Sequence, residues 1–312
     1  MTGFIDDLKN AFNKPNNSLY KLIAINIVVF VVTGVIYVIS KLSGYEEVWE
    51  AVYFNLAIPS EPSFFLKKPW TLFTYMFVHD LKGIFHILFN MLALFWFGQL
   101  IMEYLGSKKV LSLYILGGIT GGLLYLLLLN TIPSLEGSSV MVGASAGVFA
   151  IVVAAATLLP DYTFFLLFLG PVKIKYIAAI YVFLSFLGSV GPNAGGDIAH
   201  LGGALLGFIF ILQLRKGNDI GKPVNAVFDG ISGLFKKRSK IKVSYNKGAN
   251  AYAKKATASK VSSSYSKKTS ASSSTSVDQD EIDAILDKIS QSGYEKLTTE
   301  EKQKLFKASQ KK

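Results

Sequence analysis

The sequence contains no cysteine and only three histidines among its 312 residues. The absence of cysteine excludes disulfide bonds, thiol nucleophiles and cysteine-ligated metals. The histidines, His79, His86 and His200, are not part of an HExxH sequence, which argues against a zinc protease of that class. With so few possible ligands, we predict neither a metal site nor a cofactor.

Charge is also scarce over most of the chain, in which 51% of residues are hydrophobic. Residues 1–214 contain 11 Lys and Arg against 11 Asp and Glu, whereas residues 215–312 contain 21 against 10. The whole net charge of +11 therefore comes from the last third. This segregation predicts a membrane domain followed by a basic tail in water.

The apolar residues form six runs that approach the roughly 20 residues needed to cross a bilayer as a helix. The runs are residues 20–40, 84–105, 109–130, 140–159, 176–191 and 198–214. We therefore predict an all-α, polytopic membrane protein with six transmembrane helices. The fifth run is short and the fourth is rich in Gly and Ala, so we expect these two to depend on their neighbours. The run Phe164–Leu169 is too short to span and is expected at an interface.

The loops predict an orientation, because Lys and Arg favour the cytoplasmic side of a membrane. Basic residues precede the first run, separate the second from the third and the fourth from the fifth, and fill the tail. Both termini are thus expected in the cytoplasm, with the first run retained as a helix rather than cleaved as a signal peptide. The loop of residues 41–83 is then external, and its many aromatic residues predict that it is half-embedded in the headgroup region.

A serine between two glycines opens the fourth run, in the segment Gly143-Ala144-Ser145-Ala146-Gly147. The simpler interpretation is close helix packing, for which Gly, Ala and Ser are suited in membranes. The alternative is a nucleophile, because a serine at a helix N-terminus has backbone N–H groups nearby that can bind an oxyanion.

His200 lies within the sixth run, where an ionisable side chain is costly and favours a functional role. The simpler interpretation is a histidine that forms a hydrogen bond for packing. Gly203 and Gly207 share its helix face, which allows a neighbouring backbone to approach the imidazole. We expect the glycine-rich fourth run to be that neighbour, so that His200 meets Ser145. Asp197 precedes His200 by three residues, and we interpret it as a helix-capping residue rather than a third catalytic member.

His86 and Asn90 stand four residues apart in the second run and therefore share a face. They either form hydrogen bonds between helices or donate hydrogen bonds to a developing oxyanion. His79 falls in the external loop and is expected to be solvated.

Three separated motifs resemble those of the rhomboid family of intramembrane serine proteases, over about residues 18–215 and in the bacterial, six-helix form. His86-Ile-Leu-Phe-Asn90 matches HxxxN, Gly143-Ala-Ser145 matches GxS, and Ala199-His200 followed by Gly203 and Gly207 matches AHxxGxxxG. The resemblance implies a Ser145–His200 dyad without an acidic third member. It also implies an oxyanion site from His86, Asn90 and the Ser145 backbone N–H, transmembrane protein substrates, and a location in a bacterial inner membrane.

The chain departs from the family pattern at three positions. Thr71 follows Trp70 where Arg is usual, and Ala146 follows Ser145 where many members have Gly. Phe149 replaces a Tyr that stacks on the catalytic histidine in some members, and its ring should keep that contact. Two alternatives to a protease are a non-catalytic rhomboid-like protein that binds membrane clients and a transporter with broken helices.

The expected domain organisation has four parts: a cytoplasmic segment 1–18, the six-helix domain 19–216, a disordered basic linker 217–277 and a helical hairpin 278–312. Residues 230–277 contain 11 Lys and Arg with no Asp or Glu, a composition that does not bury a core. Anionic lipid headgroups are the expected partner of this stretch. Nucleic acid is not expected, because no binding fold accompanies the charge.

The hairpin prediction depends on an apolar pattern with helical spacing and on a capping sequence. The apolar residues recur at i, i+3, i+4 and i+7. They are Ile282, Ile285, Leu286 and Ile289. Thr298 to Glu301 resembles a capping box that opens the second short helix.

Overall fold

The computed structural model describes residues 17–81, 83–133, 135, 140–166, 170–235, 279–292 and 297–309. The chain divides into two compact units, Met1–Arg238 and Ser239–Lys312. Most of the predicted N-terminal segment and of the predicted linker lies outside the described residues.

The described chain is predominantly helical, and the all-α prediction is correct apart from four short strands. In chain order the elements are α1 (Ser18–Ser43), α2 (Glu46–Leu56), β1 (Ile58–Pro59), α3 (Pro62–Lys67), α4 (Thr71–Thr74), a 3-10 turn (Tyr75–Phe77), α5 (Ile84–Leu105), α6 (Ser107–Thr131), β2 (Val140–Met141), α7 (Ser145–Leu158), β3 (Thr163–Leu166), β4 (Gly170–Lys173), α8 (Ile174–Gly188), α9 (Ala194–Arg215), α10 (Lys222–Phe235), α11 (Gln279–Ser292) and α12 (Thr299–Ser309).

Each of the six predicted apolar runs overlaps with one helix of the bundle. By length and composition, four helices of the described chain can cross a membrane, namely α1, α5, α6 and α9. The other two, α7 and α8, have only 14 and 15 residues. They are the two runs expected to depend on their neighbours, and α7 does so most clearly because ten of its residues are buried.

The segment between α1 and α5 is folded rather than irregular. Its helices are joined by hydrogen bonds such as that from the Trp70 indole N–H to the Asn55 carbonyl, at 2.9 Å. Strand β1 pairs antiparallel with β2, so Ile58 faces Met141 and the segment is attached to the start of α7. The run expected at an interface begins with β3, which pairs with β4, while residues 167–169 lie outside the described chain.

Glycines bring α6, α7 and α9 into backbone contact at the centre of the bundle. A Cβ added to Gly121 of α6 would lie 2.6 Å from both the Ala146 Cβ and the Ala199 carbonyl oxygen. One added to Gly203 of α9 would lie 2.0 Å from the Ala146 carbonyl oxygen. Because no side chain fits these positions, the three helices approach as closely as small-residue packing in membranes permits.

Several buried polar groups in the core form hydrogen bonds between elements. The Tyr114 hydroxyl of α6 donates to the Met76 carbonyl at 2.6 Å and accepts from the Asn26 amide of α1 at 3.0 Å. Tyr75 donates to the Gly118 carbonyl at 2.6 Å. An unpaired polar group costs several kcal/mol in hydrocarbon, so these bonds fix α1 and the 3-10 turn against α6.

The predicted disordered linker is wrong over residues 222–235, which form α10. Val224 and Phe228 pack against the core of the bundle. An ion pair between Lys109 and Asp219, each with 16% of its side chain exposed, anchors the turn that leads into α10. The apolar spacing within α10 is a weak signal in the sequence, because a long basic stretch follows it directly.

The second unit contains the predicted helical hairpin. Ile285 of α11 and Leu297 are buried. The backbone N–H of Thr298 donates to the Glu301 carboxylate at 2.7 Å, and the N–H of Glu301 donates to the Thr298 hydroxyl at 3.3 Å. This reciprocal pair is the capping box predicted from the sequence.

Candidate active site

Local backbone geometry places Ser145 at the first position of α7. The backbone N–H of Gly143 donates to the Tyr75 carbonyl at 3.0 Å. Gly143 has φ of 139°, a conformation that glycine adopts far more readily than other residues. The chain therefore turns sharply between β2 and α7 and presents the half-buried Ser145 at a helix N-terminus.

One cavity, of about 240 Å³, is lined by both predicted catalytic residues and by one of the two predicted oxyanion donors. Its lining includes Ser145, His200, His86 and Gly143. A Cβ added to Gly143 would lie 3.5 Å from the Ser145 Oγ and 3.5 Å from the His86 Nε2. Gly143 thus leaves open the space between the serine hydroxyl and the His86 ring, where an oxyanion would have to sit.

Ser145 and His200 line the same cavity, but no hydrogen bond joins them in the described chain. The Nδ1 of His200 lies 3.0 Å from the Ser185 hydroxyl of α8 and 3.5 Å from an Asp197 carboxylate oxygen. Because Nδ1 is turned towards these two residues, Nε2 is the ring nitrogen left to interact with other residues of the cavity.

The Phe149 ring stacks on the His200 imidazole. The ring centroids are 4.3 Å apart and the planes differ by 9°. The stacking expected after replacement of Tyr by Phe is therefore present, and it fixes the plane in which the imidazole lies.

His86 and Asn90 are placed differently from one another. In the described chain the cavity is lined by His86 but not by Asn90. The Asn90 side chain is buried and donates to the His86 carbonyl within α5, at 2.9 Å. Asn90 keeps a second amide N–H, so its role as an oxyanion donor stays a prediction that requires this N–H to face the cavity.

His79 is fully buried, so the expectation of a solvated loop residue is wrong. Among the described residues, neither of its ring nitrogens has a hydrogen-bond partner. Its ring packs edge-on against His86, with centroids 5.6 Å apart. Burial lowers the pKa of His79 to about 4, and the nearby His86 contributes to the shift. His79 is therefore neutral near pH 7 and supports the His86 side of the cavity.

Tyr75 lines the same cavity, and burial strongly raises the pKa of its hydroxyl. This phenol therefore stays protonated and continues to donate to Gly118. It is a structural member of the cavity wall.

Sequence reasoning missed the contact of Ser185 with His200 and interpreted Asp197 only as a helix-capping residue. Asp197 lies in the first turn of α9, but its carboxylate also faces His200. For Asp197, the spacing of three residues from His200 was the available signal. Ser185 offered none, because a single hydroxyl in an apolar run is usual in membrane helices.

Comparison with known families finds two matches in the chain. The family described as Rhomboid domain matches residues 66–217. A family of unknown function, DUF6576, matches residues 273–311, which include the helical hairpin.

Individual relatives of the chain also have rhomboid names. The chain is 31% identical over 154 residues to RHOMBOID-like protein 1 of Arabidopsis thaliana, covering 47% of this chain and 36% of the relative. It is 32% identical over 159 residues to RHOMBOID-like protein 12, mitochondrial, of Arabidopsis thaliana, covering 47% of each. It is 26% identical over 214 residues to Rhomboid protein 1, mitochondrial, of Saccharomyces cerevisiae, covering 65% of this chain and 54% of the relative. The match thus spans between about a third and a half of the two plant proteins.

Proposed function

Because the matching domain makes this chain a member of the rhomboid family, we propose that it is an intramembrane serine endopeptidase. The observation that carries the proposal is the shared cavity of Ser145, His200 and His86 at the N-terminal end of α7. A hydroxyl at a helix N-terminus, an imidazole and an open space between donors are the parts that acyl transfer requires.

In the proposed reaction the Ser145 Oγ attacks the carbonyl carbon of a peptide bond while the His200 Nε2 accepts the serine proton. The tetrahedral intermediate collapses to an acyl-enzyme, and the leaving amine takes that proton from His200. Water then enters, gives a proton to His200 and attacks the ester. The acid product leaves, and Ser145 regains its proton.

The oxyanion would lie in the space kept open by Gly143. His86 supports this role because its Nε2 faces that space, and the Ser145 backbone N–H is free of an intrahelical acceptor in the first turn of α7. The second Asn90 N–H is the remaining proposed donor. Removal of one such donor typically costs about 2.7–4 kcal/mol of transition-state stabilisation.

The substrates we propose are transmembrane segments of other proteins, reached from the bilayer. A membrane helix has its carbonyls bonded internally, so cleavage requires a locally unwound segment, which Gly or Pro near the scissile bond would favour. We propose the orientation predicted by the Lys and Arg distribution, with the cavity near the external face. Placement in a bacterial inner membrane stays a prediction, since the relatives compared come from a plant and yeast.

The orientation is testable because the chain lacks cysteine. Single substitutions Ser189→Cys and Lys216→Cys lie at opposite ends of the α8 and α9 pair. With intact cells or spheroplasts, a membrane-impermeant maleimide should label the first and leave the second unlabelled. The reverse pattern would contradict the proposed orientation.

The activity is tested by labelling the detergent-solubilised protein with a serine-directed fluorophosphonate. Wild type and the control Ser189→Ala, a half-buried serine whose hydroxyl bonds only locally to Phe186, should label equally. Ser145→Ala and His200→Ala should not label. Labelling that persists in Ser145→Ala would show that the nucleophile is another residue.

A second candidate is a non-catalytic rhomboid-like protein that binds membrane clients. It is favoured by one observation, the absence of a Ser145–His200 hydrogen bond in the described chain. Catalytic hydrogen bonds are often long before substrate binds, so this geometry does not decide against a protease. A folded wild type that fails to react, beside an active rhomboid that does, would favour the client-binding function.

For the tail we propose a membrane-surface role that begins at α10. Val227 and Ile231 of α10 are exposed apolar residues one turn apart, beside the side chains that pack inward. This arrangement suits a helix lying in the headgroup region. The 11 Lys and Arg of residues 230–277 would then contact anionic lipids.

The lipid proposal is tested by limited cleavage of the tail with a lysine-specific protease in proteoliposomes. Vesicles containing anionic lipid should slow cleavage within residues 236–278 relative to neutral vesicles. High salt should remove the difference, because it screens exposed charges. Equal cleavage in both lipids at low salt would contradict the proposal.

A further inference from the structure

Two side chains surround the Nδ1 atom of His200, and the resemblance to a Ser–His dyad assigns neither of them. The Ser185 Oγ lies 3.0 Å from Nδ1, and the Asp197 Oδ1 lies 3.5 Å from it. Ser185 belongs to α8 and is buried, with 4% of its surface exposed. Asp197 is one turn before His200 in α9.

The direction of the Ser185 hydroxyl differs from that of several threonine hydroxyls in the helices of the bundle. Thr33, Thr131 and Thr157 each donate to the carbonyl four residues earlier in their own helix. In the described chain the single hydrogen-bond partner of the Ser185 hydroxyl is His200, across the interface between α8 and α9. The Ser185 hydroxyl therefore bonds to the imidazole instead of to the carbonyl four residues earlier in its own helix.

The Asp197 carboxylate occupies space that α8 leaves open. A Cβ added to Gly188 would lie 2.5 Å from the Asp197 Oδ2, so only glycine fits there without moving the carboxylate. The Asn193 amide donates to the same oxygen at 3.2 Å. Ser185 and Gly188 are three residues apart, as are Asp197 and His200, so two helix faces interlock at this point.

The chemistry of the two neighbours determines which nitrogen of His200 carries the proton. A serine hydroxyl can donate or accept, so Ser185 alone fixes no tautomer. An ionised carboxylate only accepts, so Asp197 favours a proton on Nδ1. The Nε2 atom then has a free lone pair, which a general base needs.

We propose that Asp197 and Ser185 are positioning residues that hold His200 in the Nδ1–H tautomer, with Nε2 free to accept the Ser145 proton. The proposal rests on the proposed function of Ser145 as the nucleophile. As His200 becomes an imidazolium during attack, the Asp197 charge also stabilises it. The dyad implied by the family resemblance thus has an acidic neighbour in this chain.

The tautomer is measured directly by nitrogen NMR of the full chain labelled with ¹⁵N-histidine. Three histidines give few signals, and those of His200 are identified by their loss in His200→Gln. Wild type should have Nδ1 protonated and Nε2 unprotonated. In Asp197→Asn the Nε2–H form should gain population, whereas Asp161→Asn, a carboxylate paired with Lys173 and Lys175, should leave it unchanged. A wild type protonated on Nε2 would overturn the proposal.

Kinetics on a cleaved transmembrane substrate separate positioning from a structural role. Asp197→Asn should lower kcat about 100-fold and leave KM nearly unchanged. This loss is smaller than the roughly 10⁴-fold loss from the same change in a Ser-His-Asp triad, because the contact here is long. Ser185→Ala should lower kcat about tenfold, and Ser189→Ala should not change it.

The two proposals fail in different ways. If wild type neither labels nor cleaves, the protease proposal fails, while the NMR experiment still decides the tautomer. If wild type is active but Asp197→Asn has the wild-type tautomer and kcat, the positioning proposal alone is wrong.

Discussion

Two of the interfaces of helix α9, those with α7 and α8, differ in kind. Towards α7 it packs backbone against backbone, with Gly203 and Gly207 leaving room for the carbonyls of Ala146 and Ala150. Towards α8 it contacts mainly side chains, among them Ser185, and α8 itself has only three buried residues. His200 lies between these interfaces. The first fixes its backbone, and its ring contacts Phe149 of α7 as well as Ser185 of α8.

The two interfaces should tolerate an added side-chain atom to different extents. A backbone carbonyl cannot move away from an added Cβ without moving its helix, whereas a side chain can change rotamer. The outward side of α8 consists of exposed apolar residues suited to lipid. They include Ile180, Phe183, Leu184 and Leu187. Substitutions at the first interface should therefore affect folding, and those at the second should affect activity.

The largest effect is expected for Gly203→Ala. The new Cβ would lie 2.0 Å from the Ala146 carbonyl oxygen, so α7 and α9 must separate. We expect a loss of about 3 kcal/mol or more in the free energy of unfolding, at the upper end for overpacked sites. Unfolding of the purified protein in mixed micelles of increasing SDS content measures it.

The matched control for Gly203→Ala is Gly230→Ala in α10, where an added Cβ meets no atom within 4 Å. Alanine there should be neutral or stabilise by about 0.5–1 kcal/mol, because glycine is a weaker helix former. Similar unfolding curves for the two variants would show that the α7–α9 contact is not as close as the structure indicates.

The second effect concerns His79, buried beside His86. An unfolded histidine titrates near 6.5, whereas burial lowers the pKa of His79 to about 4 in the folded protein. Between these values the unfolded state binds more protons, so stability should fall as pH decreases from 6.5 to 4. At 1.36 kcal/mol per unit, the contribution of His79 reaches about 3 kcal/mol at pH 4.

His79→Leu should remove this pH dependence. At pH 7.5 its stability should lie within about 1 kcal/mol of wild type, because the ring nitrogens it replaces have no partners in the described chain. Unfolding midpoints of both proteins at pH 7.5 and pH 4.5 provide the comparison. An equal decrease in the two would mean that His79 is already protonated or hydrated.

The first interface could be predicted from the sequence to a greater extent than the second. Glycines at positions 203 and 207, on the face of His200, indicated a close neighbour, and the glycine-rich fourth run was its obvious partner. The second interface depends on a single hydroxyl 15 residues from His200 and on a rotamer of Asp197. No spacing rule specifies either, because both result from how α8 and α9 pack in three dimensions.

Outside the two interfaces, too, the sequence predicts contacts that form within one turn but not contacts that depend on tertiary packing. The capping box of Thr298 and Glu301 was predictable because its bonds form within one turn. The burial of His79 was not, because it depends on the residues before α5 folding back so that the His79 ring packs against His86. Hydrogen bonds within one turn can thus be predicted from the sequence, whereas the exposure of a loop residue can be known only from the tertiary structure.

The third effect is expected for Gly188→Ala, at the second interface. The added Cβ meets the Asp197 carboxylate, whose rotamer can change, so folding should be retained. Displacement of Asp197 from His200 should slow fluorophosphonate labelling about tenfold, the factor that 1.4 kcal/mol represents. Gly34→Ala, where a Cβ makes ordinary contact with Leu81, is the control. An unfolded Gly188→Ala protein would show that α8 is held as firmly as α7.

The smallest effect is expected for Phe149→Leu, because Phe149 lies where the two interfaces meet. Its ring stacks on His200 at 4.3 Å and also contacts Tyr181 of α8 at 5.6 Å between centroids. Aromatic pairs contribute about 0.5–1.5 kcal/mol beyond burial, so loss of the ring should slow labelling roughly 2- to 10-fold. Phe183→Leu, an exposed site on α8, should not slow it. If Phe149→Leu reacts at the wild-type rate, the stacked ring is not needed to orient the His200 imidazole. The polar contacts of Ser185 and Asp197 at Nδ1 would then be sufficient.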